Sequence, residues 1–191
     1  MKFYWLPILL LLCLPVKAEP ITDIQYRYYS IYPQQKADLE REMQTRSPII
    51  VNGKKFKGYT KWNVNWKFWW YESPNSCRIT KVKVFLNVTY TLPQIPKNHV
   101  TTAETRTIFN QFYNALFKHE QNHKDSGLFA ARDIENALQN LGSFPNCQQL
   151  ELVANQRGHQ IIQQYAQRDR DYDKHTDHGR LEGIMLQNFM K

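Results

Sequence analysis

The apolar residues of this chain change period once, and that change sets what it can fold into. Between Lys61 and Trp70, Trp62, Val64, Trp66, Phe68 and Trp70 alternate with Lys61, Asn63, Asn65, Lys67 and Trp69. After a turn at Ser73-Pro74-Asn75-Ser76, the alternation resumes with Val82, Val84, Leu86, Val88, Tyr90 and Leu92 on one side. A period of two sends successive side chains to opposite faces, so each segment is a strand with one apolar face and the two form a long antiparallel hairpin. Trp69 is the odd residue, an aromatic on the polar face and a candidate to stack on a ligand. From Thr101 the spacing becomes three or four, through Phe109, Phe112, Leu116, Gly127, Ala130, Ile134, Leu138 and Leu141. That is the period of an amphipathic helix, either one long element or two joined near Gly127, with Gly142 suited to its C-terminal cap.

The flanking elements are shorter. Ile24 to Tyr32 reads as a strand, and Pro33 fits the first turn of a polar helix over about Gln34 to Arg46, which Ser47-Pro48 ends. Asn52-Gly53 between two short apolar or basic runs signals a tight hairpin. Asn146 suits the cap of a further helix with Leu150, Ala154, Ile161 and Tyr165 inward, and Asp171 to Gly179 reads as a polar loop. The fold class is therefore α+β: an N-terminal antiparallel sheet packed on a long helix, plus a further helix.

Residues 1–18 read as a signal peptide. Lys2 supplies the positive end, Leu6 to Leu14 the apolar run, and Val16-Lys17-Ala18 the cleavage site, leaving residues 19–191 as a single domain. The apolar run is well short of the ~20 residues of a spanning helix, so no stable membrane anchor is expected after cleavage. Cys13 leaves with the leader. Cys77 and Cys147 remain, an even number in an exported chain, and one disulfide is the simple reading; two free thiols or thiolate ligands are the alternatives. The formal charge of +8 permits acidic partners without requiring them.

The residues that carry chemistry lie on the long helix, at His119-Glu120-Gln121-Asn122-His123. Helical positions four apart share a face, so two imidazoles converge on one ion, and zinc accepts neutral imidazole nitrogens. The intervening Glu120 is placed to take a proton from a water activated by Zn2+. Glu120 and His123 also fall on the inward stripe of the helix, where a carboxylate is costly unless it is paired or serves a metal.

A catalytic zinc takes a third protein ligand. Glu135 lies ~18 Å from His123 along a straight helix and reaches only if the helix breaks at Gly127. The loop near the C-terminus offers His178 as first choice, with Asp177 and His175 in reserve, and Tyr172 as a hydrogen-bond donor to a developing oxyanion. His99 and His159 have no partner at ligand spacing.

Several segments, in this order and spacing, resemble a bacterial family of unknown function whose members are predicted to be secreted zinc-dependent proteases. They are Tyr59-Thr60-Lys61-Trp62-Asn63-Val64-Asn65-Trp66, Cys77-Arg78-Ile79, Leu92-Pro93, His119-Glu120 with His123, Cys147, Asn155, Tyr172-Asp173 and Thr176-Asp177-His178-Gly179. The resemblance covers nearly the whole chain after the leader. It implies a periplasmic or secreted bacterial protein, places both cysteines in the family pattern, and favours His178 as a ligand through the Thr-Asp-His-Gly motif. The expectation is a zincin-like metallopeptidase. His119, His123 and His178 would hold zinc, Glu120 would act as general base, and a peptide or protein, or a cell-wall amide, would be the substrate; nucleic acid is not expected. By analogy with zinc peptidases, the strand Val82 to Tyr90 would pair with an extended substrate. The rival is a non-catalytic module binding glycan, peptide or nucleic acid, with a structural metal or none.

Overall fold

A computed structural model describes residues 19–190; the expected leader lies outside them. The hairpin is present as β4 (Tyr59–Ser73) and β5 (Ser76–Gln94), preceded by β1 (Ile21–Ser30), the helix α1 (Leu39–Arg46) and the small hairpin β2 (Ile50–Val51) and β3 (Lys54–Lys55). Then come α2 (Ala103–Gln139), β6 (Ser143–Phe144) and α3 (Cys147–Thr176). Short 3-10 turns at Arg180–Glu182 and Leu186–Phe189 close the described chain.

The main sheet has β5 at its centre, with β1 on one side and β4 on the other, and β6 pairs the start of β5 at Cys77 and Arg78. The fold is α+β as expected, but the sheet is mixed. β4 runs antiparallel to β5, whereas β1 runs parallel to it. The reason lies in where the strands meet β5. Ser30 ends β1 opposite Gln94, and Tyr59 begins β4 opposite Thr91, so residues 31–58 pass round one end of the sheet and need not return along its length. This also corrects the expectation for Val82 to Tyr90. β5 is paired on both sides, and the open edge beside the helices is that of β4.

Val82, Val84, Leu86, Val88, Tyr90 and Leu92 are all buried, against Phe112, Leu116, Ala130, Ala131, Ile134 and Leu138 of α2. Helix α2 is continuous, and its Thr102 cap accepts from the Thr105 amide. Gly127 does not break it. A Cβ there would lie 2.8 Å from Cγ of Trp62, so the glycine lets α2 approach the indole on β4. Glu135 accordingly stays about 18 Å from His123 and is no ligand.

Helix α3 runs to Thr176, so most of the expected loop is helical. Nothing between Gly158 and Gly179 stops a helix: that stretch contains neither glycine nor proline. Asp177 and His178 then adopt left-handed backbone conformations and turn the chain back so that Glu182 reaches His119 and Phe189 reaches Phe112 of α2. Cys77 and Cys147 form a disulfide that ties the start of β5 to the first residue of α3.

Candidate metal centre

His119 and His123 sit one turn apart on α2, both buried, with ring centroids 5.0 Å apart. Facing them is Asp173 of α3. Its Oδ1 lies 3.1 Å from Nε2 of His123 and 3.3 Å from Nε2 of His119. One ligand atom from each of these three residues falls within 4.8 Å of the others.

These distances fit a metal. Ligand atoms around a tetrahedral zinc with bonds of about 2.0–2.1 Å stand about 3.3 Å apart. In the protein alone they serve as charged hydrogen bonds. Burial opposes charge on His123, but the Asp169 and Asp173 carboxylates outweigh it and lift its pKa from 6.5 to about 10. His119 is raised too, burial being outweighed by Asp173 and Glu182. Burial would raise Asp173, yet its bonds to both imidazoles hold it well below the usual carboxylate range.

Each imidazole is oriented from its far side. Nδ1 of His119 lies 2.8 Å from Oε2 of Glu182, which also accepts from Tyr172, whose hydroxyl in turn accepts from Asn122 at 2.6 Å. The Tyr172 ring stacks on His119 at 4.9 Å. Nδ1 of His123 lies 3.4 Å from Oδ1 of Asp169, a buried oxygen with no hydrogen bond among the described residues, while Oδ2 of Asp169 accepts from the Trp62 indole. Both carboxylates favour the tautomer that leaves Nε2 free for an ion.

Glu120 is 4% exposed and faces the sheet. Thr60 donates to its Oε2 at 2.6 Å. Burial raises the Glu120 pKa above 4.5, and the Thr60 bond opposes the rise. A Cβ on Gly58 would lie 2.7 Å from Oε1 of Glu120, so that glycine leaves room for the carboxylate.

The structure brings together His119, Glu120 and His123 from the sequence reading and adds Asp173. His178 lies one contact further out: its Nδ1 is 3.6 Å from Oδ2 of Asp173, and its ring packs on Phe56 at the lip of the cleft. Asp177 is exposed and bonds Arg180, and His175 Nδ1 lies 2.6 Å from the carbonyl of Asp171; neither belongs to the cluster. Tyr172 is committed to Asn122 and Glu182, and burial raises its pKa. Asp169, Asp173 and Glu182 were the residues sequence reasoning missed as site groups. Asp169 and Asp173 have the same four-residue spacing as the histidines, a signal hidden when Asp171 to Gly179 is read as a loop.

The cleft above the cluster holds about 540 Å³. Lys57 to Val64, along the open edge of β4, form one wall, with Phe56, Leu116, Ile162 and Ile184 as apolar lining.

Fold and site define an α+β protein carrying a His–His–Asp group whose composition and spacing could hold a metal ion, with a buried glutamate beside it. The chain belongs to the bacterial proteins of unknown function grouped as DUF922, which match residues 26–179. No curated protein and no solved structure matches it.

Proposed function

We propose that the protein is a zinc-dependent hydrolase acting on amide bonds of extended peptide substrates outside the cytoplasm. The observation that carries this reading is the convergence of the His119 and His123 Nε2 atoms and Asp173 Oδ1, with Glu120 buried alongside. Asp173 is the third ligand in this reading, in place of His178. Zinc held there would supply Lewis acidity and bring a water to a pKa of about 7.

The residues around it have separate tasks. Glu120, its pKa raised by burial, accepts the proton of the attacking water and returns it to the leaving amine. Thr60 fixes the Glu120 carboxylate. Glu182 and Asp169 hold the two imidazoles in one tautomer. The unpaired edge of β4 offers backbone groups to an extended chain lying in the cleft. His178, half-exposed at the lip, is placed to meet substrate. The Cys77–Cys147 disulfide supports an oxidising compartment, consistent with export. No helix of the described residues is long and apolar enough to cross a membrane.

The test is bound metal by elemental mass spectrometry on purified Glu19–Lys191, beside His123→Ala, Asp173→Ala and His178→Ala. About one zinc per chain is expected in the wild type and in His178→Ala, and none in the other two. A wild type that takes up no zinc after reloading overturns the hydrolase reading. Zinc lost in His178→Ala but kept in Asp173→Ala restores the histidine as ligand. Glu120→Gln, loaded with zinc, then reports catalysis on a peptide library: it should keep the metal and lose turnover.

A further inference from the structure

The sheet face turned away from the helices carries a charge pattern that its own stability does not explain. Arg27 of β1, Lys61 and Lys67 of β4, and Lys81 and Lys83 of β5 are all exposed there. None of them forms an ion pair among the described residues, and Asp23 is the acidic residue on the same strand faces. Lys67 and Lys83 stand directly opposite each other across β4 and β5. Like charges in that position destabilise a sheet, whereas an acid on one strand would stabilise it. A local arrangement that works against the fold points to a role outside it.

Beside the apolar pair Ile21 and Phe85, the face carries groups that suit sugars. Lys81 extends over the indole of Trp69, a residue that is 45% exposed. At the other end a groove of about 600 Å³ is lined by Asn63, Asn87, Thr89 and Thr91, with Tyr59 and Ile50 and Val51 of β2 also lining it. Amides and hydroxyls there match sugar hydroxyls, and the exposed aromatics offer faces on which a ring can stack. From Tyr59 to Trp69 the strand spans ~33 Å at about 3.3 Å per residue, longer than one small molecule.

We infer that this outer face of the β1–β5–β4 sheet binds a linear acidic polysaccharide. The carboxylates pair with Lys61, Lys67 and Lys83, and sugar rings stack at Trp69 and Tyr59. The surface meets the metal cleft along the β4 edge, where Tyr59, Lys61 and Asn63 line both, but none of His119, His123 and Asp173 lies on it, so the inference does not rest on the hydrolase reading.

The experiment uses Glu19–Lys191 and four polymers: polygalacturonate, neutral dextran, poly-L-glutamate and a DNA duplex, with binding followed by tryptophan fluorescence at low and moderate salt. Polygalacturonate should bind, weaken as salt rises, and outcompete poly-L-glutamate, which has charge without rings. Dextran should not bind. Lys83→Glu should weaken polygalacturonate about tenfold while raising the melting temperature, because it replaces a like-charge pair with an opposite one. Weaker binding in a more stable protein cannot be ascribed to misfolding. Trp69→Ala should also weaken binding, with metal content unchanged. The proposal is overturned if polygalacturonate does not bind at low salt. Equal affinity for poly-L-glutamate with Trp69→Ala silent, or preference for a DNA duplex, would overturn it as well.

Discussion

Thr60 donates its hydroxyl to Oε2 of Glu120 at 2.6 Å, so the second residue of β4 fixes the carboxylate that α2 carries into the cleft. The bond favours the charged form, against the burial that raises the Glu120 pKa above 4.5. Thr60→Val should therefore raise that pKa further. Carboxyl 13C NMR of the metal-free protein, titrated with pH, reads it directly. A Glu120 signal that titrates lower in Thr60→Val than in the wild type would contradict this assignment.

Glu182 and Asp169 should matter to metal affinity although neither belongs to the ligand group. Glu182→Gln and Asp169→Asn each remove the charge that steadies an imidazole, and a loss of roughly 10- to 100-fold in zinc affinity is expected. Competition with a chromophoric chelator measures it. Unchanged affinity in both variants would mean that α2 alone orients the histidines.

The metal-free protein should have a pH-dependent stability traceable to His123. Its folded pKa, about 10, lies above its ordinary 6.5. A raised pKa contributes stability that is complete below the unfolded value and disappears as pH climbs through the folded one. Metal-free urea midpoints should thus fall between pH 6.5 and 10, and His123→Gln should flatten that slope. Zinc affinity should rise over the same window, since binding requires the imidazole to give up its proton.

Gly127→Ala should destabilise the fold by about 1–3 kcal/mol, as overpacking does. The added methyl would meet the Trp62 ring at 2.8 Å, and the tryptophan has little freedom because its indole bonds Asp169. On helix propensity alone the same change would stabilise, so the sign of the shift in the urea midpoint separates the two effects.

Reducing the Cys77–Cys147 bridge frees a loop with a sequence separation of 70, worth about 4 kcal/mol in the chain-entropy account. Cys77→Ala with Cys147→Ala should lower the urea midpoint accordingly while leaving zinc stoichiometry intact, because the bridge lies at the opposite end of α3 from Asp173. Loss of zinc in the folded double variant would contradict that separation.

The elements with strong periodicity were legible in the sequence, and those defined by long-range pairing were not. The β4–β5 hairpin follows from alternation with a turn between, and α2 from its stripe. The direction of β1 does not follow from any local pattern, because its apolar and polar residues fit a parallel or an antiparallel neighbour equally well. On the site, His119 and His123 announce each other at helical spacing. Asp173 lies 50 residues further on and depends on how α3 docks against α2. Reading Asp171 to Gly179 as a loop gave weight to His178, since polar composition resembles a loop even where the helix goes on. Glu182 reaches His119 only because Asp177, His178 and Gly179 reverse the chain, a conformation that Gly179 alone hinted at.

Strand β4 is a partition one residue thick. Thr60 and Trp62 face the metal side, and Lys61 and Asn63, their immediate neighbours, face the opposite groove. A deletion of one residue before Thr60 would exchange the two sets, sending a lysine toward Glu120 and a threonine to the solvent. The two surfaces are thus written in the same short stretch of gene and cannot be edited in length separately. Any attempt to remodel one by insertion or loop grafting rewrites the other, and only substitutions that keep the reading frame of the pleat leave both legible.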